Sequence, residues 1–306
     1  MKRLFLILIP LFFIGCASKV PVTWEKRVLD SHIEQVDLVY DEYGKEHNES
    51  MLFLHGFGES RYTWRFLIPK LSKKYHLYVV DLKGFGESPK PEDSDYSVYD
   101  QAKLVQSFIQ THHLHNLTVV GRSFGGGVAL VLALMQEEGE GRALMKRMIL
   151  IDSMSYKQRL PSMMRVLTIP VIGYLGIHLL DEEEIAKEAY LYAFSNDELI
   201  PQESVAYSAK MMRLPMAKYA YLETVNCIVP DDIDAVEKRY KTITIPTLIL
   251  WGEDDVSIRV PMAYHLHKDL PNSKLKIFKG VGHMPQEEVP NKVLHAIEAF
   301  MKEPEK

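Results

Sequence analysis

The fold of this chain is decided by the stretch Leu117-Thr118-Val119-Val120-Gly121-Arg122-Ser123-Phe124-Gly125. Its first four residues form an apolar run, which is typical of a strand covered on both faces. Residues 128–135 are apolar almost all round, which indicates a buried helix. The Gly-x-Ser-x-Gly pattern between them fits a turn so tight that the flanking positions need glycine. The sequence therefore predicts a strand, a tight turn and a helix, with the Ser123 hydroxyl at a helix N-terminus that favours developing negative charge.

Strand-like and helix-like stretches alternate along most of the chain. Near-continuous apolar runs occupy residues 51–54, 77–80, 117–120, 148–151 and 247–251, and a more alternating run occupies 275–278. Apolar residues at helical spacing occur over 99–112, 128–135 and 291–301. This alternation predicts an α/β fold with a doubly wound, mostly parallel sheet. Ligands bind beyond the carboxyl ends of the strands in such sheets.

The alternation breaks after Asp152, because residues 153–246 contain no strand-like run. The stretch is helix-like and rich in methionine, and prolines punctuate it. We interpret residues 154–232 as a helical cap inserted into a core made of residues 36–153 and 233–306. Its segment Leu160 to Leu180 is strongly apolar. That segment predicts either a face packed on the core, or a lid that lines an acyl-chain pocket or touches a bilayer.

The N-terminus has the pattern of an export signal. Met1-Lys2-Arg3 is positively charged, and the apolar run Leu4 to Ile14 is shorter than the ~20 residues that span a bilayer. The segment Phe13-Ile14-Gly15-Cys16 resembles a bacterial lipobox, which implies that the Cys16 thiol is lipidated. We therefore interpret residues 1–15 as a lipoprotein signal peptide and 16–35 as a tether or entry strand. A plain signal peptide and an uncleaved anchor remain alternatives.

The lipobox resemblance implies a place in the bacterial cell envelope, attached to membrane through the lipid. Because Ala17 rather than an aspartate follows the cysteine, it implies the outer membrane in a bacterium with two membranes. The only other cysteine is Cys227, so a lipidated Cys16 leaves no intramolecular disulfide. Cys227 has apolar neighbours in the sequence, so we expect it to be a small, buried hydrophobic residue.

Composition excludes one class of partner. The chain has 306 residues, 47% of them hydrophobic and 25% charged, which is ordinary for a globular protein. Its formal net charge is -5, so it carries no basic field that would hold a nucleic acid. The sequence does not address the oligomeric state.

Two further motifs supply partners for Ser123, because a serine hydroxyl is a poor nucleophile without a base. His283 follows the last strand-like run, which is where a base is expected. Asp255 follows the preceding run and is a candidate for the acid that orients the base. Asp254 and, more distantly, Asp152 are alternatives for the acid. We expect the remaining charge in the turn, Arg122, to point away along the surface.

These motifs together resemble the capped branch of the α/β-hydrolase superfamily, from about Met51 to the C-terminus. The resemblance is carried by the Ser123 turn, His55-Gly56-Phe57-Gly58, Asp81-Leu82-Lys83-Gly84-Phe85-Gly86-Glu87-Ser88, Trp251-Gly252-x-x-Asp255 and Gly282-His283. It implies that the acid is Asp255, and that the backbone N–H groups of Phe57 and Phe124 form an oxyanion hole. It implies acyl transfer through an acyl-enzyme, which needs neither a metal nor an organic cofactor.

The Ser123 turn and the apolar cap together lead us to expect a serine hydrolase of carboxylic esters with apolar acyl groups, acting on a small-molecule or lipid ester. A C–C bond or amide hydrolase on the same fold is the first alternative, because the fold alone does not separate these reactions. A non-catalytic binding lipoprotein is the second.

Overall fold

A single seven-stranded sheet organises the protein, whose computed structural model describes residues 21–29, 35–139 and 144–303. The strands are β1 Tyr40–Tyr43, β2 Ser50–Leu54, β3 His76–Val80, β4 Leu117–Arg122, β5 Met145–Ile151, β6 Thr247–Gly252 and β7 Ser273–Phe278. Their order across the sheet is β1-β3-β2-β4-β5-β6-β7. Strands β2 to β7 run parallel, and β1 pairs antiparallel with β3.

Helices connect the strands. They are α1 Ile68–Leu71, α2 Val98–Thr111, α3 Phe124–Glu137, α4 Ser162–Leu167, α5 Pro170–Leu179, α6 Glu182–Ala193, α7 Gln202–Met212, α8 Ala217–Cys227, α9 Ile233–Val236, α10 Pro261–Asp269, α11 Pro285–Glu288 and α12 Pro290–Met301. Shorter helical turns lie at Glu25–Leu29, Arg61–Trp64, Asp197–Leu199 and Glu237–Thr242. The predicted α/β class with a mostly parallel sheet is confirmed.

Both faces of the sheet are covered, which explains why its central strands read as continuous apolar runs. In β2, Leu52 and Leu54 join a core cluster with α2, α3 and α10, whereas Met51 and Phe53 join a second cluster with α12. All five residues of β2 are buried. The edge strand β7 alternates in burial instead, and its sequence alternates accordingly.

Strand β1 was not predicted, and the entry segment differs from a strand. β1 has the sequence Tyr-Asp-Glu-Tyr, which is polar because all four residues are only half-buried at the sheet edge. Residues Glu25–Leu29 form a helical turn, in which Val28 and the neighbouring Trp24 are buried in the core. The Trp24 ring packs edge-on against Tyr99 of α2, with ring centroids 5.8 Å apart. Cys16 and the predicted signal peptide lie outside the described residues.

Helices α4 to α9 occupy the chain between β5 and β6, where the sequence shows no strand-like run. The boundaries 154 and 232 of the cap stay a prediction. None of the described helices combines the length and apolarity that crossing a membrane requires.

Candidate active site

Ser123 lies in a strained turn at the carboxyl end of β4. Its φ of 51° is in the left-handed region, which a non-glycine residue adopts at an energetic cost. The flanking glycines make the turn possible. A Cβ at Gly121 would collide with the carbonyl oxygen of Gly125, and one at Gly125 would collide with that of Leu54. The Ser123 side chain is half-buried, at the start of the buried helix α3.

Three side chains from separate loops meet at this turn. His283 Nε2 lies 3.1 Å from Ser123 Oγ, and His283 Nδ1 lies 2.7 Å from Asp255 Oδ2. Asp255 Oδ1 accepts hydrogen bonds from the backbone N–H groups of Ser257 at 2.7 Å and Ile258 at 2.9 Å. These bonds fix the carboxylate, so that its other oxygen faces the imidazole. The geometry is that of a nucleophile, a base and an orienting acid.

The structure distinguishes the candidate acids by position. Asp255 and His283 are both buried, whereas Asp254 is exposed, and the imidazole pairs with Asp255. Burial alone would raise the pKa of Asp255. The charge of His283 and the hydrogen bond to it outweigh burial, so the pKa of Asp255 is lowered and the carboxylate stays ionised.

Asp152 is a second carboxyl beside Asp255. It is fully buried, and its Oδ1 accepts a hydrogen bond from the Gly252 N–H at 3.0 Å. Burial raises the pKa of Asp152 well above its ordinary value, and the negative charge of Asp255 raises it further. Two carboxylates this close in a buried site do not both ionise. The raised pKa of Asp152 therefore favours its protonated form while Asp255 stays ionised.

In the described ranges, one set of side chains brings potential metal-ligand atoms within 4.8 Å of one another. It consists of Asp152, Asp255 and His283. The hydrogen bonds of these residues explain why the side chains lie together without a metal ion. Both oxygens of Asp255 already accept hydrogen bonds, and a protonated Asp152 is a poor ligand. The donor set therefore fits a hydrogen-bonded triad better than a metal centre.

Two backbone N–H groups lie in the loops that flank Ser123. Phe124 begins α3 directly after Ser123, and Phe57 lies in the loop that follows β2. Neither N–H donates to a protein acceptor in the part of the chain that the structure describes. Because β2 and β4 are adjacent parallel strands, the loops after their carboxyl ends meet beside Ser123. The two donors are thus free for a substrate oxygen.

The loop that carries Phe57 is held from two sides. His55 Nε2 accepts a hydrogen bond from the Leu82 N–H at 2.9 Å, so Nδ1 carries the proton and donates to the Gly56 carbonyl at 2.8 Å. Burial lowers the pKa of His55, which keeps this neutral tautomer. From α8, the Tyr221 hydroxyl donates to the Gly58 carbonyl at 2.9 Å.

Arg122 contradicts the expectation from sequence, because its side chain is buried rather than directed along the surface. One guanidinium nitrogen pairs with Glu59, and another donates to the His283 carbonyl at 2.6 Å. Glu59 in turn accepts the Gly56 N–H at 2.9 Å. A guanidinium presents several donors in a fixed fork, so this side chain can link the Phe57 loop to the His283 loop beneath the nucleophile.

The end of α6 contacts the His283 loop through residues that no sequence motif indicated. The His283 N–H donates to the Ala193 carbonyl at 2.6 Å. Glu288 accepts the Gly282 N–H and, through its other oxygen, the Ser195 N–H. No local pattern in the sequence pairs residues 193–195 with 282–288. Such contacts were therefore outside the reach of motif analysis.

Comparisons with known proteins agree with this architecture. Lipase 1 of Psychrobacter immobilis is 26% identical to this chain over 319 residues, covering 98% of this chain and 97% of the lipase. A solved meta-cleavage product hydrolase from Pseudomonas fluorescens IP01 has a TM-score of 0.72 at 22% identity, covering 87% of this chain and 94% of that one. A thermophilic esterase from Thermogutta terrifontis has a TM-score of 0.71 at 21% identity, covering 87% and 93%. These two likenesses, below 25% identity, show the fold only.

The family follows from a direct match along the chain. The sequence profile described as the α/β-hydrolase fold matches residues 49–290, which include every motif that meets at the Ser123 turn. This match covers more than half of the chain, and Lipase 1, which matches along nearly its full length, is named as a lipase, a kind of hydrolase. The chain belongs to the α/β-hydrolase fold family and is a hydrolase.

Proposed function

We propose that the protein is a serine hydrolase of carboxylic esters, with Ser123 as nucleophile. The observation that carries the proposal is the continuous chain of contacts from Ser123 Oγ through His283 to Asp255 Oδ2, at 3.1 and 2.7 Å. A strained serine turn and two free backbone N–H donors accompany it. The likeness to Lipase 1 supports an ester as the substrate.

The mechanism is acyl transfer in two steps. His283 takes the proton of Ser123 while Ser123 Oγ attacks the carbonyl carbon, and the N–H groups of Phe57 and Phe124 hold the oxyanion. His283 then gives that proton to the leaving alcohol, which departs and leaves an acyl-enzyme. Water activated by His283 hydrolyses the acyl-enzyme and restores Ser123. Asp255 orients the imidazole and stabilises its positive charge throughout.

Aromatic side chains beside the oxyanion loop support a preference for apolar acyl groups. The Phe57 ring packs edge-on against Phe85 at 5.7 Å and against Tyr221 of the cap at 5.4 Å. The Phe85 ring centroid lies 6.4 Å from that of Phe124. Phe57 is the partly exposed ring of this cluster, so an acyl chain leaving the oxyanion site past it would contact an aromatic side chain rather than a charged group. Polar acyl groups would lose their hydration there without gaining hydrogen bonds.

A panel of p-nitrophenyl esters from acetate to palmitate tests the proposal. We expect turnover that rises with acyl length beyond acetate and is absent from Ser123→Ala. Turnover that is confined to acetate would contradict the apolar preference. A parent protein that cleaves no ester but hydrolyses a diketo acid or an amide would replace the ester proposal with the C–C or amide alternative.

Arg122→Met is expected to lower kcat on the best ester by about 10- to 100-fold with little change in KM. The variant removes the link between the Phe57 and His283 loops, and neither Arg122 nor Glu59 contacts the substrate in the proposed mechanism. Arg122→Lys should restore only part of kcat, because an ammonium group cannot reproduce the planar fork. Steady-state kinetics and thermal melts of both variants provide the measurement.

Arg213→Met is the matched control, because Arg213 pairs with Glu182 at the surface, with the Arg213 side chain 48% exposed. It should leave kcat unchanged. The double variant Arg122→Met/Glu59→Gln should regain thermal stability, since the uncompensated carboxylate is gone, but not kcat. Recovery of kcat together with stability would show that Arg122 acts through folding alone.

We also propose that the enzyme is lipid-anchored in the bacterial cell envelope through Cys16. The support is the lipobox-like segment that ends at Cys16, after a charged start and a short apolar run. Incorporation of radiolabelled palmitate into the parent protein, but not into Cys16→Ser, is the expected result. Equal incorporation into both would contradict it.

A further inference from the structure

Helices α4 and α5 expose an apolar surface. We call residues 162–180 the α4–α5 hairpin. Of the 14 large hydrophobic side chains exposed in the described residues, eight lie within positions 166–180. They are Val166, Ile169, Val171, Ile172, Tyr174, Leu175, Leu179 and Leu180, at 44–77% exposure. Exposed hydrophobic side chains scattered singly are ordinary, whereas a contiguous group marks an interaction surface.

The composition of α5 explains why this surface needs a partner. Only Gly173 and Ile177, one turn apart, are buried on this helix. Gly173 packs so closely on α4 that a Cβ would collide with the Leu167 carbonyl. The remaining positions of α5 are nearly all apolar and face outward. A helix that is apolar all round is buried in a core or in lipid, and the protein covers one stripe of α5 only.

The charges on the hairpin suit a lipid surface. No aspartate or glutamate occurs between Leu160 and Leu180, where Arg165 is the one charged residue. His178 stacks on Tyr174 with ring centroids 4.2 Å apart. Tyrosine and basic side chains favour the level of the lipid headgroups, and the absence of carboxylates avoids repulsion from anionic lipids. The acidic residues Asp181 to Glu184 follow the hairpin and begin α6.

The length of α5 excludes a transmembrane role for the hairpin. Ten residues of α-helix extend about 15 Å, half of the ~30 Å hydrocarbon thickness of a bilayer. A short apolar helix that cannot span lies in the plane of the interface instead.

The N-terminal chain enters the structure beside the same part of the cap. Val22 pairs with Asp231 through its N–H at 2.9 Å and its carbonyl at 2.8 Å. The Val22 side chain packs with Ala220 and Cys227 of α8, and α8 also contacts α4 and α5. Position 16 is six residues before Val22, a separation that the chain can extend to at most about 20 Å. An anchor at that position would hold the hairpin near the bilayer.

We propose that the outward face of the α4–α5 hairpin docks onto a phospholipid bilayer and lies among the headgroups and upper acyl chains. The surface does not depend on the ester chemistry, whereas its position near the bilayer rests on the proposed lipid attachment at Cys16. The docking proposal bears on the proposed function, because Tyr221 of α8 contacts the loop that carries Phe57.

Tryptophan fluorescence of the full-length protein in vesicles tests the docking. The three native tryptophans, Trp24, Trp64 and Trp251, are buried and give a constant background. Leu179→Trp places a probe on the hairpin, and Val256→Trp places the matched control at an apolar residue that is 54% exposed elsewhere. Both are exposed positions, and near-UV circular dichroism verifies the fold. The vesicles contain phosphatidylcholine and phosphatidylglycerol with brominated acyl chains.

We expect Leu179→Trp emission to shift to the blue on adding vesicles and to be quenched about threefold more strongly than that of Val256→Trp. Equal quenching at both positions, or no shift, would overturn the proposal. A blue shift before vesicles are added would also overturn it. If that shift depends on protein concentration, a second copy covers the hairpin; if it does not, another segment of this chain covers it.

Discussion

Ser123→Ala and His283→Ala are each expected to lower kcat on a carboxylic ester by about a millionfold, and the double variant is expected to be no slower than either. The reason is that the two side chains perform one step. His283 Nε2 lies 3.1 Å from Ser123 Oγ, so loss of either group removes the same proton transfer and the same nucleophile. The remaining rate would come from the backbone N–H groups of Phe57 and Phe124, which neither substitution touches.

Ser155→Ala is the matched control for this set. Ser155 is buried, and its Oγ bonds to Ser153 rather than to the imidazole. Its kcat should stay near that of the parent. Single-turnover kinetics on a p-nitrophenyl ester provide the measurement. If the losses of Ser123→Ala and His283→Ala multiplied in the double variant, the two residues would act independently and the proposed mechanism would be wrong.

Asp255→Asn is expected to lower kcat by about 10,000-fold, whereas the same change at Asp152 should cost less than about tenfold. Asp255 Oδ2 accepts from His283 Nδ1, and its charge stabilises the imidazolium that forms during the reaction. An amide at 255 removes the charge and permits the wrong imidazole tautomer. The loss therefore falls on kcat rather than on KM.

Asp152 differs because its buried carboxyl is already protonated in our account. A carboxamide has nearly the same shape, and its oxygen can still accept the Gly252 N–H. The two Asp→Asn variants, measured on one ester, form a matched pair of identical chemical changes at neighbouring carboxyls. A larger loss at Asp152 than at Asp255 would assign the orienting acid to the earlier strand.

The strands were predictable where burial on both faces of the sheet requires a continuous apolar run in the sequence. The predicted run at residues 247–251 corresponds to β6 Thr247–Gly252, whose residues are all buried. Strand β1 lacks such a run because it pairs on one side only and its residues are half-buried. The helical turn at Glu25–Leu29 was also unpredictable, since it depends on packing against Tyr99, far along the chain.

Local motifs indicated some residues of the candidate site, whereas contacts between distant segments determine where others lie. Ser123, Asp255 and His283 each follow a strand in a short motif, and the structure brings these three together. The expectation that Arg122 points along the surface was wrong, because its burial depends on Glu59 and the His283 carbonyl, which are distant in sequence. Local pattern alone assigns a charged side chain to solvent. Only the assembled loops supply the partners that allow it to be buried.

The central claim is that Ser123 is an activated nucleophile, and fluorophosphonate labelling of the full-length protein followed by tryptic mass mapping tests it most directly. Cleavage after Arg122 and Arg142 releases residues 123–142, in which Ser123 is the only serine. We predict a phosphonyl mass increase on this peptide that is lost in Ser123→Ala and nearly lost in His283→Ala. A folded parent protein that stays unlabelled, or that carries the label on another peptide, would contradict the account.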